Sequence, residues 1–222
     1  MLRSIFFSLC LLGAMAPAAF AGQSAILGFE FARESWFWPL FYDIGGETLY
    51  CGYAFGIREQ RTTVDGFRVV VEHAYPAAWI AEARGCRSEI RCSDEVFQYA
   101  VADLHNLWPV ISSARSARGE LVFGEGSGGG TGRLTGRCLR RHEDASGGGA
   151  FIEPRDAVKG DLARSILYMM ETYDLPARGL ENLLRRWHDE DPPDETERWR
   201  NFVIERLQGT RNPYIGPWVA PP

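Results

Sequence analysis

The sequence predicts an α+β domain stapled by disulfides, and three observations lead there. Residues 67 to 71 read Phe-Arg-Val-Val-Val, the β-branched content of a strand. The C-terminal third repeats apolar residues at helical spacing. Four cysteines, Cys51, Cys86, Cys92 and Cys138, follow an N-terminal stretch with the form of an export signal.

That stretch has Arg3 as its positive region, an apolar run from Ile5 to Ala16, and Ala19-Phe20-Ala21 as a small-x-small site before Gly22. It reads as a signal peptide over 1–21, too short in its apolar part to span a bilayer. Removing it leaves 201 of the 222 residues, enough for one domain over 22–222 with a real core. Export to the periplasm or the medium suits an even cysteine number and two disulfides, for which three connectivities exist. Cys86 and Cys92 are close enough to staple a short loop, which leaves Cys51 with Cys138.

Along the chain, residues 25 to 57 are rich in aromatics and glycine without a clean period. The strand at 67–71 should end at Pro76. Residues 77–83 read as helix, Cys86 to Cys92 as a stapled loop, and 94–107 as helix. Gly124 to Gly132 reads as a loop. Its Gly124, Gly126 and Gly129 match G-x-G-x-x-G by spacing, yet no βαβ context surrounds them, so no dinucleotide site is inferred. Glycines 147 to 149 frame a hairpin around Cys138. Three helices follow. Leu162, Ile166, Met169 and Tyr173 share a face of the first, which begins near Lys159. Leu180, Leu183, Leu184 and Trp187 mark the second. The third opens at Pro192-Pro193, carries Trp199, Phe202, Val203 and Leu207 into the core, and stops at Gly209.

Formal charge is −5, so composition excludes a strongly basic nucleic-acid binder, although a local basic patch is compatible with it. All but one of the 24 basic residues are arginines, the exception being Lys159. Arginine's planar fork grips phosphate with two hydrogen bonds at once.

Four histidines are available for chemistry. His142 in Arg-Arg-His-Glu-Asp and His188 in Trp-His-Asp-Glu-Asp read as solvated. His73 and His105 adjoin apolar segments. In Val-Val-Val-Glu-His-Ala-Tyr-Pro-Ala, residues 69 to 77, Glu72 and His73 close an apolar strand. Successive strand residues face opposite sides, so one of the pair can hold a metal while the other takes a proton from water. A zinc hydrolase built from Glu72, His73 and His105 has no H-E-x-x-H or zinc-spaced cysteine pair behind it.

Five ordered motifs carry a resemblance. They are Tyr-Cys-Gly at 50–52, Val-Glu-His-Ala-Tyr-Pro-Ala at 71–77, Asp-Leu-His-Asn-Leu-Trp-Pro at 103–109, the stretch from Glu153 to Met169 with Lys-Gly-Asp-Leu-Ala-Arg inside it, and Gln-Gly-Thr-Arg-Asn-Pro-Tyr-Ile at 208–215. From Tyr50 onward the chain resembles the endonuclease I family of secreted bacterial nucleases. The resemblance implies a ββα-metal (His-Me finger) core with a mainly helical C-terminal part. It also implies a monomer that cleaves phosphodiester bonds of DNA, and of RNA as well, with Mg²⁺, or with Mn²⁺ or Ca²⁺ in its place.

Carried over by position, Glu72 is the carboxylate ligand of the metal and His73 the general base. Arg91 in the stapled loop, with Arg87 as second choice, stabilises the scissile phosphate. Arg118 matches a family arginine, and it is assigned with Arg115 and Arg164 to substrate binding. Arg115 stands where the family places an asparagine ligand, and a guanidinium repels a cation. Asn106 is then the substitute ligand, its other role being to hold backbone near the site while His105 donates to a carbonyl. An alternative reading on the same fold follows from Arg115: a catalytically impaired protein that binds nucleic acid.

Overall fold

The computed structural model describes residues 22–56, 61–127, 132–143 and 149–219. The expected export signal, and parts of both glycine-rich loops, lie outside them. The chain begins with α1 (Phe29–Phe31), which widens into a π-helical stretch over Ala32–Phe41. A small ribbon follows, β1 (Gly46–Glu47) against β2 (Ala54–Phe55). Then come β3 (Val69–His73), α2 (Ala77–Ala83), α3 (Glu95–Val101), β4 (Leu107–Ile111) and α4 (Ser112–Arg118). A four-stranded sheet collects β5 (Val122–Phe123), β6 (Arg133–Thr135), β7 (Leu139–Glu143) and β8 (Ala150–Glu153). Helices α5 (Lys159–Tyr173), α6 (Glu181–Glu190) and α7 (Glu195–Gln208) complete it.

The β-branched run forms β3 as expected, and it pairs antiparallel with β4 so that Glu72 faces Trp108 and His73 faces Leu107. Pro109 sits in β4 without harm, because the sheet has only two strands and Pro109 uses its carbonyl to accept from Leu49 N at 2.8 Å. Helix α4 leaves β4 directly and packs back on both strands. Two strands and a helix thus hold residues 69 to 118 around one corner.

The helix expected over 94–107 stops at Val101. Asp103 accepts from His105 N at 2.9 Å and starts a 3₁₀ turn over Leu104–Asn106, which releases Leu107 to pair with β3. Pairing overrides a helical apolar spacing here. The hairpin around Cys138 forms between β6 and β7, in a sheet of order β5-β8-β7-β6 with β5 parallel to β8. Its turn presses on α4: a Cβ on Gly136 would stand 2.7 Å from Ala114 Cα, and its φ of +51° also asks for glycine. Both disulfides match expectation, Cys51 with Cys138 and Cys86 with Cys92.

Helices α5 and α6 bury Leu162, Ile166, Met169, Tyr173, Leu184 and Trp187 in the main core. Helix α7 differs from expectation in two ways. It opens at Glu195, where Asp194 and Glu197 form a capping box, rather than at the two prolines. It buries Arg200, Asn201, Ile204 and Gln208, and leaves Trp199 and Phe202 more than a third exposed against Phe41 and Trp218. The polar face wins because each buried group has a partner, such as Arg200 Nη2 on Leu107 O at 2.6 Å. His142 is likewise not solvated: it is buried, 2.6 Å from Glu153 Oε2 and stacked on Phe151. His188 is half-buried, edge-on to Tyr214.

Candidate active site around Glu72 and His73

Strand alternation sends Glu72 and His73 out of β3 in different directions, yet both reach one polar pocket of about 170 Å³. At about 30 Å³ per water that is room for a handful of waters or one phosphate group. Arg115, Arg118, Glu89, Glu120 and the turn Pro76–Ala78 complete its lining.

Glu72 is buried, and each of its oxygens has a cation. Oε1 accepts from Tyr50 OH and Arg118 Nη1, both at 3.3 Å, and Oε2 lies 3.2 Å from Arg115 Nε. Burial raises the Glu72 carboxyl above the ordinary carboxylate value, while Arg118, Arg115 and the Tyr50 hydrogen bond pull the other way. An ionised carboxylate between two guanidiniums leaves one net positive charge.

The two arginines differ in freedom. Arg118 is fully enclosed, its Nη2 donating to Ala74 O at 2.9 Å and its guanidinium lying over the Trp79 and Phe123 rings. These contacts hold it against the exit of β3. Arg115 keeps 52 % of its side chain exposed and borders three openings of the surface.

His73 Nε2 lies 2.9 Å from Val101 O. A carbonyl only accepts, so Nε2 carries the proton and Nδ1 keeps its lone pair. Burial pushes the imidazole down to about 4; the Val101 bond opposes this, and Arg115 and Arg118 add to it. The ring is therefore a neutral, singly oriented base at neutral pH. Phe29 packs against it, with ring centres 4.8 Å apart.

The other sequence-assigned residues fall elsewhere. Asn106 is fully buried with its amide closed on one residue: Oδ1 accepts from Tyr75 N at 2.7 Å and Nδ2 donates to Tyr75 O at 3.0 Å. Its amide is thus engaged with backbone and clamps the turn after His73. His105 donates from Nε2 to Thr210 O at 3.1 Å, the carbonyl role expected of it. Arg164 is not among the residues that line the pocket. It is 1 % exposed, gripped by Glu197 at 2.7 and 2.6 Å and by Asp191 O. Arg91 is exposed on the stapled loop, but among the described residues that loop lines the pocket with Glu89. Sequence reasoning gave Tyr50 no role although its Tyr-Cys-Gly motif was in view, and it missed the Val101 carbonyl that orients the base.

The resemblance carried by the motifs implies a divalent metal. As arranged, the donor set does not fit one. Glu72 shares the pocket lining with Glu89 and Glu120, but its Oε2 faces Arg115, and among the described residues no three His, Cys, Asp or Glu gather in metal-binding geometry. Guanidinium and cation would compete for the same oxygen.

Comparison with known proteins agrees with the chain's motifs. Residues 42–217 match the profile of the family described as Endonuclease I. The chain is 34% identical over 132 residues to an extracellular ribonuclease of Bacillus subtilis, covering 51% of this chain and 43% of that protein. It is therefore similar to less than half of the Bacillus protein. It is 31% identical over 176 residues to an extracellular deoxyribonuclease of Aeromonas hydrophila, covering 74% and 70% of the two. A periplasmic deoxyribonuclease of Aeromonas hydrophila is 30% identical over 175 residues, covering 74% and 68%. Matched over most of its described length, with Glu72, His73 and their supports inside the match, the chain belongs to the endonuclease I family.

Proposed function

We propose that this protein is an exported nuclease whose ββα core is β3, β4 and α4, and which hydrolyses phosphodiester bonds of nucleic acid at the Glu72–His73 pocket. The observation that carries the reading is the Val101 hydrogen bond, which leaves His73 Nδ1 as a base in a pocket that Arg115 also lines. Relatives named as deoxyribonucleases and a ribonuclease support nucleic acid as substrate. The names extracellular and periplasmic and the two disulfides support export.

In this mechanism the phosphodiester monoanion docks against Arg115, whose fork neutralises its non-bridging oxygens. His73 Nδ1 takes a proton from a pocket water as that water's oxygen bonds to phosphorus. The P–O bond to the leaving nucleoside breaks, and its oxygen takes a proton from solvent. Arg118 and Asn106 keep the β3 exit rigid, so that base and phosphate meet in one geometry. A divalent ion, when bound in this family, supplies charge neutralisation at the phosphate, and no step above depends on it. A plasmid-nicking assay of the protein against His73→Ala tests the reading, and equal rates for the two would overturn it.

A further inference from the structure

His73, Ala77, Glu89 and Arg115 form a wall shared by two openings. On one side is the polar pocket. On the other is a groove of about 690 Å³, a volume typical of pockets that take small organic molecules. Leu27, Phe29, Phe31, Ile90, Phe97 and Val101 make its lining largely apolar. Leu27 is 53 %, Phe31 52 % and Ile90 90 % exposed, so three large apolar side chains stand in solvent along one groove. Scattered exposed leucines need no explanation, whereas a cluster beside a site does.

The groove is built rather than accidental. Gln23 Nε2 donates to Ile26 O and Tyr99 O, both at 2.7 Å, which ties the segment down before it enters the groove. Gly28 then turns at φ +84°, a conformation that favours glycine, and its N–H donates to Gln98 O at 3.1 Å. The turn delivers Phe29 to the His73 ring and leaves Phe31 at the rim.

Charge selects the occupant. Glu30 and Glu89 line the groove, and Arg115 stands where it meets the polar pocket. A polyanion cannot lay its phosphates along two carboxylates, so its backbone is held at Arg115. What enters the groove next to that phosphate must be uncharged, flat and willing to lie on apolar side chains.

We propose that the groove binds an unpaired nucleobase adjoining the phosphate held at Arg115, which makes single-stranded nucleic acid the preferred substrate. The inference rests on the nuclease reading for the phosphate beside it. Bases of a duplex are already stacked and paired, and must be unstacked before they can enter. Stacking on aromatic and apolar side chains ignores base identity, so the groove favours a strand state without favouring a sequence.

The test compares cleavage-resistant phosphorothioate strands binding to the intact protein: short oligothymidylate, its duplex, and a strand of equal charge with abasic residues. The base-bearing single strand should bind about tenfold more tightly than the other two. The double variant Phe31→Ser/Ile90→Ser should erase that advantage and leave affinity for the abasic strand unchanged. A 2-aminopurine in the strand gives a readout on the unaltered protein, its fluorescence being expected to fall on binding. Equal affinity for base-bearing and abasic strands overturns the proposal, as does failure of the base-bearing strand to bind. Cleavage of unmodified strands is measured separately: without it, base-dependent binding leaves the groove standing and removes the nuclease reading.

Discussion

Arg115 Nε stands 3.2 Å from Glu72 Oε2, so the half-exposed arginine of α4 covers the face of the carboxylate that a cation would need. A like charge at about 4 Å costs on the order of 4 kcal/mol at an effective dielectric of 20, before the screening expected at a half-exposed group. Arg115→Asn should raise affinity for Mn²⁺ at least tenfold, read by calorimetry. An unaltered affinity would show that Arg115 and the ion do not compete.

The proton-transfer role rests on a different atom. His73→Ala removes the base while Glu72, Arg115 and Arg118 stay in place, and cleavage should fall ~10²–10⁴-fold. Binding of the phosphorothioate strand should change far less. A loss confined to binding would assign His73 to recognition instead.

Stability should depend on pH through two buried rings. Burial holds both His73 and His105 down at about 4; for His105 the Asp103 charge and the Thr210 bond oppose it. Between an ordinary 6.5 and about 4 the unfolded chain takes up protons that the folded chain refuses. Stability is therefore flat above the window and falls as pH drops through it, by roughly 3 kcal/mol per ring at its lower end. Denaturant midpoints between neutral pH and the lower end of the window read this slope, and His105→Gln should remove about half of it. The acid limb of cleavage by the same logic lies near 4, and a limb near 6.5 would contradict the buried, neutral ring.

Arg164 offers a contrast to the site arginines. Arg164→Ala strands the buried carboxylate of Glu197, and should cost about 3–5 kcal/mol of stability. Substrate KM of the protein that remains folded should not move. A raised KM with intact stability would return Arg164 to the substrate surface.

What the sequence made legible was local. Val69 to His73 declared a strand by β-branching, Lys159 to Tyr173 declared a helix by spacing, and a sequence separation of 6 between Cys86 and Cys92 limited their geometry. Strand pairings across long separations were not legible. The strand Leu107–Ile111 has apolar spacing that suits a helix too, and only the presence of β3 decides it. Arg164 and Arg115 are chemically identical in the sequence, and each pairs with a buried glutamate; what separates them is that Arg164 is enclosed while Arg115 stays half-exposed on open pockets. Trp199 and Phe202 misled because hydrophobicity alone was read, whereas α7 buries polar groups that each meet a partner.

The link between Cys51 and Cys138 spans 87 residues and holds together two walls of one site. Tyr50, beside its first end, donates to Glu72, and the turn at its second end presses on the helix that carries Arg115. Closing a loop of that length is worth roughly 4–5 kcal/mol by the chain-entropy argument. A chain newly made in a reducing cytosol lacks this bond and the seating it gives Tyr50, and acquires both only where thiols are oxidised. Assembly of the two walls around Glu72 is thereby tied to the oxidation of two thiols.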